Sequence, residues 1–153
     1  MNFMLNVKPF SIVIPVYNEA NNINILLEEI INVLNNKYIY EIIFVDDFSN
    51  DGTREILKKI QKNNKIKTYF NKKRSGQSFS ILAGIKNSSF NHIVTLDGDC
   101  QNDPNDIPKL LKSYFNNSDC FLVSGIRVKR KDKISKIVAS KLANFIRSYI
   151  LND

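Results

Sequence analysis

Short apolar runs alternate with longer stretches of helical periodicity along most of this chain, and this alternation restricts the fold more than any other feature. Runs rich in β-branched residues and bounded by turn formers predict five strands, at residues 10–16, 41–45, 66–70, 92–96 and 119–123. Helical patterns predict four helices, at residues 23–34, 52–62, 77–87 and 105–116. Together they predict an α/β fold in which a mostly parallel sheet carries helices on both faces.

The length and composition predict a single domain over residues 1–153. A hydrophobic content of 43% and a charged content of 24% are ordinary for a globular chain. Cys100 and Cys120 are too few for a disulfide framework and lack metal-ligand spacing. No apolar run approaches the ~20 residues of a membrane span, and the first residues lack the pattern of a signal peptide. We therefore expect a cytoplasmic location.

Positive charge is concentrated near the end of the chain. Eight basic residues and one acidic residue lie at positions 127–147, so this stretch accounts for the net charge of +7. Such a cluster predicts an anionic partner, and the candidates are phosphate groups, acidic lipids and nucleic acid. Nucleic acid is the least favoured of these, because the stretch and its end offer only Phe145 and Tyr149 for base stacking.

Polar clusters follow three of the predicted strands. These are "PVYNE" at 15–19, "VDDFSNDGT" at 45–53 and "LDGDCQ" at 96–101. Ligands of open α/β sheets bind at the carboxyl ends of the strands, where the loops converge. The three clusters are therefore expected to lie at one edge and to form one site.

The acidic pairs are compatible with ordinary structural roles as well as with functional ones. Asp97 and Asp99 can present oxygens to one hard cation, with Gly98 leaving room for a ligand, but acidic turns are also common. Asp46 and Asp47 suit a turn and helix cap as well as a binding site. The tyrosine and glutamate of "PVYNE" alone would be a surface turn, and the single histidine, at the start of a strand, is expected to be structural.

Several common nucleotide sites are excluded by their missing motifs. The chain has no Gly-x-Gly-x-x-Gly and no Gly-x-x-x-x-Gly-Lys-Ser/Thr. A receiver-like signalling domain is also disfavoured, because that fold needs its acidic pair after the first strand and its phosphoacceptor after the third.

The blocks "SIVIPVYNEANNI", "EIIFVDDFSNDGT", "RSGQSFSILAGI", "VTLDGDCQNDP" and "VSGIR", in this order, resemble the family 2 glycosyltransferases of the GT-A fold. Within that family they are most similar to the dolichol- and polyprenyl-phosphate sugar transferases. The resemblance runs from about residue 10 to the last residue. It implies a metal-dependent, inverting transfer of sugar from a UDP- or GDP-sugar to a lipid phosphate.

The resemblance also implies roles for particular residues. Base and ribose would be contacted by the tails of the first two strands, and the metal and phosphates by the acidic block and the arginine of "VSGIR". The nucleoside residues would be Pro15, Tyr17, Glu19, Val45 and Asp47, with Asp46 less firmly assigned. Mg²⁺ or Mn²⁺ would be held by Asp97 and Asp99, with Gln101 as a further ligand. Asp97, Gly98, Asp99 and Arg127 would also contact the nucleotide sugar, with Arg127 near the phosphates, and Asp99 and Arg127 would be the catalytic residues.

The last part of the chain leaves two alternatives open. We divide the domain into a nucleotide-sugar-binding part, about 8–127, and a basic amphipathic segment, about 128–151. That segment suits peripheral contact with anionic lipid at the cytoplasmic face of a membrane, or packing on protein. The resemblance also leads us to expect that this chain stops before a segment that carries further family motifs. The alternative function is therefore a truncated, inactive donor-binding module.

Overall fold

The structure is a computed structural model, and it describes residues 7–125. These residues alternate between strand and helix, as the sequence predicts. The strands are β1 (Phe10–Val16), β2 (Tyr40–Asp46), β3 (Ile66–Phe70) and β4 (His92–Thr95). The helices are α1 (Ile23–Leu34), α2 (Thr53–Ile60), α3 (Gln77–Lys86) and α4 (Ile107–Phe115), with a 3₁₀ turn at Pro104–Asp106 before α4.

The four strands form one parallel sheet in the order β3-β2-β1-β4. β1 pairs with β2 along its whole length, from Phe10 opposite Tyr40 to Val16 opposite Asp46. This register aligns the carboxyl ends of the two central strands. The loops that follow them consequently open at the same edge of the sheet.

Helices cover both faces of the sheet, which confirms the predicted architecture. Alternate residues of a strand point to opposite faces, so β1 and β2 each supply two apolar surfaces. The larger core packs one surface against α1, α2 and α4 and contains Phe10, Ile12, Ile14, Ile23, Leu26, Ile30, Phe44, Leu57, Ile107 and Leu111. On the other face Val13, Ile43 and Val45 form a smaller core, against which Ala83 of α3 packs.

Helix α3 lies very close to the sheet at Gly84. A Cβ at this position would overlap Cγ1 of Val13 and would come within 3.2 Å of Cγ2 of Val45. The helix can therefore sit at this distance only because residue 84 has no side chain. This contact fixes the height of α3 above β1 and β2.

The fifth predicted strand, at 119–123, is wrong. These residues follow α4 as turns and irregular chain, and the side chains of Phe121 and Leu122 are 95% and 83% exposed. A strand needs a hydrogen-bonded neighbour, and β4 pairs within the described residues only with β1. Apolar composition predicted the strand but could not supply its partner.

The single histidine is structural, as expected. The ring of His92 packs edge-on against Tyr114 and Phe115, with centroids 5.7 and 4.9 Å away. Burial, helped by the charge of Lys8, lowers the pKa of His92, so the ring is neutral at physiological pH. Cys100 and Cys120 are both free thiols.

The described elements all fall within one compact unit of the chain, which ends at Val123. None of the helices described combines the length and the apolar character that crossing a bilayer requires. The basic amphipathic segment at 128–151 and Arg127 lie outside the described residues.

Candidate nucleotide-sugar site

A pocket of about 320 Å³ opens at the carboxyl edge of the sheet. It is built from the ends of β1, β2 and β4 and from the loop that follows β3. Four carboxylates and one guanidinium line it. The lining residues are Pro15, Val16, Tyr17, Glu19, Asp47, Arg74, Gly76, Gln77, Asp97, Gly98 and Asp99.

Hydrogen bonds tie the loop after β1 to the loop after β2. The backbone N–H of Asn18 donates to Oγ of Ser49 at 2.9 Å, and the N–H of Asn50 donates back to Oδ1 of Asn18 at 3.0 Å. The N–H of Glu19 donates to Oγ1 of Thr53 at 2.9 Å, at the start of α2. The polar residues of "SNDGT" therefore serve to position the tail of β1 at the pocket.

Three non-glycine residues in these loops adopt a left-handed backbone. They are Asn18 with φ 56°, Phe48 with φ 67° and Cys100 with φ 56°. Such conformations cost on the order of 1–3 kcal/mol each and cluster at functional sites in proteins. Each follows a strand that ends at the pocket, so the backbone irregularity is concentrated around the site.

The neighbouring carboxylates at the end of β2 have different environments. Asp46 is fully buried on the α2 side, where Oδ2 lies 3.2 Å from Nε of Arg54 and the N–H of Ser49 donates to the carboxylate. Asp46 is therefore part of the turn and of an ion pair with the partly exposed Arg54. Asp47 points to the opposite face and lines the pocket.

Asp47 holds the loop that follows β3. Its Oδ1 accepts hydrogen bonds from Nδ2 of Asn71 at 2.9 Å and from the N–H of Ser75 at 2.7 Å, and its Oδ2 accepts one from the N–H of Gly76 at 2.8 Å. Burial alone would raise the pKa of Asp47, but these hydrogen bonds and the charge of Arg74 outweigh it and lower the pKa. Asp47 is thus ionised at neutral pH and fixed in place.

Arg74 lies on this loop and lines the pocket. Its guanidinium carbon lies 4.0 Å from the centroid of the Tyr17 ring. This is a cation–π contact, which contributes roughly 0.5–1 kcal/mol at an exposed position. It joins the loop after β3 to the tail of β1.

Amide side chains orient Asp97 in the acidic block after β4. Nε2 of Gln77, the first residue of α3, donates to Oδ1 at 2.8 Å, and Nδ2 of Asn102 donates to Oδ2 at 3.1 Å. Asp99 also lines the pocket, and its Oδ1 accepts the N–H of Gln101 at 3.1 Å.

The donor set at the pocket fits a hard divalent cation completed by other ligands. Within residues 7–125 no group of three His, Cys, Asp or Glu side chains could hold a metal by itself. Asp97 and Asp99 offer two carboxylates to the same pocket, and Mg²⁺ and Mn²⁺ prefer oxygen ligands. Mg²⁺ is commonly held by one or two carboxylates together with the phosphates of a substrate.

Gly98 packs closely against the end of β1. A Cβ there would lie 2.7 Å from Cγ1 of Val16 and 3.3 Å from the carbonyl oxygen of Pro15. The fold of the chain itself therefore requires glycine between the two aspartates. Room for a ligand at Gly98 stays a prediction.

The pocket brings together seven of the residues that the sequence singled out: Pro15, Tyr17, Glu19, Asp47, Asp97, Gly98 and Asp99. Two others do not line it. Val45 is fully buried in the smaller core, and Gln101 is exposed, with its N–H directed at Asp99. Arg127 lies outside the described residues, so its role also stays a prediction.

Four lining residues were missing from the predicted site: Val16 at the end of β1, and Arg74, Gly76 and Gln77. A signal for the last three was present in the sequence, because "RSGQS" lies in the connection between β3 and α3, and ligands bind at the carboxyl ends of strands. Residues 71–76 contain no carboxylate, so the acidic clusters of the sequence did not indicate this loop.

Comparisons with known proteins agree with this arrangement. The protein-family model for glycosyl transferase family 2 matches residues 11–151. Undecaprenyl-phosphate 4-deoxy-4-formamido-L-arabinose transferase of Photorhabdus laumondii is 36% identical over 141 residues, which are 90% of this chain and 43% of the relative. The protein of that name from Yersinia enterocolitica is 35% identical over 145 residues, 92% of this chain and 43% of the relative. The chain thus spans less than half the length of these relatives.

Solved structures show the same fold. Residues 1–349 of Staphylococcus aureus TarS, in complex with UDP-GlcNAc, match with a TM-score of 0.60 and 23% identity, covering 71% of this chain and 31% of that one. The mannosyltransferase PcManGT of Pyrobaculum calidifontis, in complex with GDP-Man and Mn²⁺, matches with a TM-score of 0.58 and 20% identity, over 69% and 31%. The fold is therefore GT-A, and by its sequence match this chain belongs to glycosyl transferase family 2.

Proposed function

We propose that the pocket binds a nucleoside-diphosphate sugar and that the protein transfers this sugar, with inversion, to a polyprenyl phosphate. One observation carries the proposal: the ends of β1, β2 and β4 and the loop after β3 bring an aromatic ring, four carboxylates and a guanidinium to a single pocket. This combination suits a ligand with a planar base, hydroxyl groups and a metal-bound diphosphate. TarS and PcManGT were solved with UDP-GlcNAc and GDP-Man, which supports a donor of this class.

The nucleoside part of the donor is assigned to the tails of β1 and β2. Tyr17 offers a ring face for stacking, and Glu19 offers a carboxylate to hydroxyl groups. Pro15 and Asp47 line the adjoining wall, while a contact from Val45 would have to come from its backbone, because its side chain is buried. Asp46 is left out, since Arg54 already pairs with it.

The diphosphate end is assigned to the acidic block after β4. Asp99, with Asp97 beside it and Gln101 as a further ligand, would hold Mg²⁺ or Mn²⁺. When bound, such an ion offsets the negative charge that develops on the departing nucleoside diphosphate. Arg127, which the structure does not describe, would add a forked donor to the same anion.

The acceptor is assigned by its chemistry. A phosphate oxygen of a polyprenyl phosphate is already ionised near neutral pH, so the transfer needs no protein base to activate it. A hydroxyl acceptor would instead need a carboxylate or histidine within hydrogen-bond reach. The two relatives compared above are named as transferases to undecaprenyl phosphate, which supports the lipid acceptor.

The basic segment at 128–151 is proposed to bring the protein to its acceptor. Its apolar and basic residues suit a helix that lies at the surface of an anionic membrane on the cytoplasmic side. Co-sedimentation with anionic liposomes at low salt tests this part separately, and protein that stays in the supernatant would contradict it.

Calorimetry with UDP and GDP, with and without Mn²⁺, tests the donor site. We expect one of the two diphosphates to bind, and to bind more tightly with the metal present. A sugar-transfer assay to undecaprenyl phosphate on the same preparation tests the reaction. Binding without transfer would favour the alternative of a donor-binding module, and failure to bind either nucleotide would refute the proposal.

A further inference from the structure

We propose that the outer side of α3, together with the basic residues at positions 72–74, docks on the surface of an anionic membrane. The inference rests on the proposed function, because a lipid-phosphate acceptor is what would bring this protein to a bilayer. It adds a contact surface on the described fold to the segment at 128–151. Three observations support it: exposed apolar side chains on one side of the helix, the sign of the surrounding charge, and the position of the helix beside the pocket.

Helix α3 buries one side and leaves large apolar residues on the other. Gly84 is buried against Val13 of β1. On the outer side, Phe79 and Leu82 are 53% and 49% exposed, and their three-residue spacing places them on the same side of the helix. Ile85, which is 41% exposed, continues the row. Contiguous exposed apolar side chains, unlike isolated ones, indicate an interaction surface.

Positive charge surrounds this apolar row. Residues 56–96 contain nine basic residues and no acidic one. Lys72, Lys73 and Arg74 precede α3, Lys86 ends it, and all four are exposed. Basic residues around an apolar side are the pattern by which helices bind to the surface of anionic membranes. The surface therefore offers both apolar burial and electrostatic attraction to such a membrane.

The outer side of α1 has the opposite charge. Ile25 is 52% exposed, which is close to the exposure of Phe79. Glu28 and Glu29 are exposed, and they follow Ile25 by three and four residues, so they lie on the same side of α1. Anionic lipid would be repelled there. Charge therefore distinguishes α3 from α1 as a surface for membrane contact.

Charge also favours a bilayer over other occupants of this surface. The segment at 128–151 has seven basic residues and one acidic residue, so its charge does not complement that of α3. A second copy of the same surface would place cations against cations. An anionic membrane complements the apolar row and the basic residues together.

The start of α3 lies at the pocket. Gln77, the first residue of the helix, lines the pocket and donates a hydrogen bond to Asp97. Phe79 is only two residues further along, and Arg74 lines the pocket from the preceding loop. Docking through this end of α3 would therefore bring the pocket close to the lipid headgroups, where a polyprenyl phosphate presents its phosphate.

Tryptophan reporters test which surface meets the bilayer, because the chain contains no tryptophan. Phe79→Trp places a reporter on α3, and Ile25→Trp places the matched control at a similarly exposed position of α1. The whole chain is mixed at low salt with vesicles of phosphatidylcholine that carry brominated acyl chains, with or without phosphatidylglycerol. We expect the emission of Phe79→Trp to shift to the blue and to be quenched only when phosphatidylglycerol is present. The emission of Ile25→Trp should not change.

Lysine variants test the electrostatic part. Lys72→Ala combined with Lys73→Ala should weaken binding to the anionic vesicles by roughly tenfold or more, as measured by co-sedimentation. Lys58→Ala combined with Lys59→Ala removes the same charge from exposed positions of α2, on the other face of the sheet, and should weaken binding less than about threefold. These four lysines do not line the pocket, so the affinity for UDP or GDP should stay that of wild type.

The reporters also define the results that would overturn the proposal. Vesicle binding without quenching of Phe79→Trp would do so and would leave the segment at 128–151 as the membrane contact. Equal quenching of both reporters would show that no particular surface docks. A Phe79→Trp emission that is already blue-shifted without vesicles would show that protein covers this side of α3. Circular dichroism verifies the fold, and Leu82→Trp repeats the measurement if Phe79→Trp does not fold.

Failure of this inference and failure of the proposed function are distinguishable. A wild-type protein that binds no anionic vesicle would refute both membrane contacts. Calorimetry with UDP and GDP on the same preparation decides the donor site separately.

Discussion

The two ends of the sheet both carry carboxylates, and the way each is satisfied differs. At the amino end, Glu41 of β2 is 7% exposed and accepts hydrogen bonds from Ser11 Oγ and from the N–H and Oγ of Ser89, while Nζ of Lys67 lies 2.8 Å away. These partners come from β1, from β3 and from the turn before β4. Glu41 therefore joins the chain to itself.

At the carboxyl end, Asp97 and Asp99 open onto a pocket. Amide groups hold Asp97 from two sides, and a backbone N–H holds Asp99, but both residues line the cavity. A carboxylate at a strand end therefore stabilises the fold where its hydrogen-bond partners come from neighbouring strands and turns. Where the carboxylate lines a pocket, it is available to bind a ligand. Substitution at Glu41 should therefore affect stability, and substitution at Asp99 should affect binding.

Glu41→Ala is expected to cause the largest effect, a loss of about 2–4 kcal/mol in the free energy of unfolding. The substitution leaves Ser11, Ser89 and the amine of Lys67 without their shared acceptor, and unsatisfied buried polar groups are costly. Urea unfolding followed by circular dichroism measures the loss. Glu28→Ala, at an exposed position of α1, is the control and should stay within about 0.5 kcal/mol of wild type. If the Glu41→Ala protein were as stable as wild type, Glu41 would have no structural role, and the proposed difference between the amino and carboxyl ends of the sheet would be wrong.

Asp99→Ala should have the opposite profile. We expect Mn²⁺-dependent affinity for the nucleoside diphosphate to fall by about tenfold or more, which is about 1.4 kcal/mol, because a metal ligand is lost. Unfolding should change by less than about 0.5 kcal/mol. Calorimetry with and without Mn²⁺ measures the effect, and Asp106→Asn, whose exposed carboxylate pairs with Lys109, is the control. Unchanged metal-dependent binding would exclude Asp99 as a ligand.

Acid should weaken the amino end through Glu41. Burial alone would raise the pKa of Glu41, but hydrogen bonds from Lys67, Ser11 and Ser89 outweigh it and lower the pKa below the ordinary 4.5. A carboxyl whose pKa is lower in the folded state stabilises the fold above its unfolded-state pKa. That contribution is lost as the pH falls below about 4.5 and through the folded-state pKa.

Glu41→Gln isolates this contribution from those of other carboxyls. The gap in unfolding free energy between wild type and Glu41→Gln should be full at pH 7 and should narrow as the pH drops through the acid range. Urea titrations at a series of pH values measure it. A gap that stays constant down to pH 3 would show that ionisation of Glu41 does not contribute to stability.

Lys67→Met should have the smallest effect, a loss of less than about 1 kcal/mol. The lysine side chain is 36% exposed, so water screens its pairing with Glu41, and the serine donors remain. The same urea experiment measures it. A loss as large as that of Glu41→Ala would assign the stability of the amino end to the ion pair rather than to the hydrogen bonds.

Much of the fold and part of the site could be predicted from sequence. The four strands and four helices were predicted to within a few residues. Strands covered on both faces are short apolar runs, and a helix packed on a sheet has apolar residues along one side, so both patterns can be recognised in the sequence. The acidic strand ends were also expected to meet, because parallel strands share a carboxyl edge.

The features that could not be predicted depend on contacts between residues far apart in the sequence, which the spacing of apolar residues does not encode. The segment at 119–123 has the composition of a strand, and pairing is a property of its neighbours. Asp46 and Asp47 are adjacent, and only the position of Arg54 and of the loop at 71–76 distinguishes their roles. Arg74 belongs to the site because Asp47 fixes its loop, which is a long-range contact.

The close packing of α3 on the sheet at Gly84 connects the core of the protein to the pocket. Helix α3 begins at Gln77, whose side-chain amide donates a hydrogen bond to Asp97. The residue before it, Gly76, donates its backbone N–H to Asp47. A methyl group at position 84 would lift the helix from Val13 and would carry its first turn away from the acidic block. A substitution at Gly84, about two helical turns from the start of α3, would thus weaken the proposed nucleotide binding without contacting the ligand.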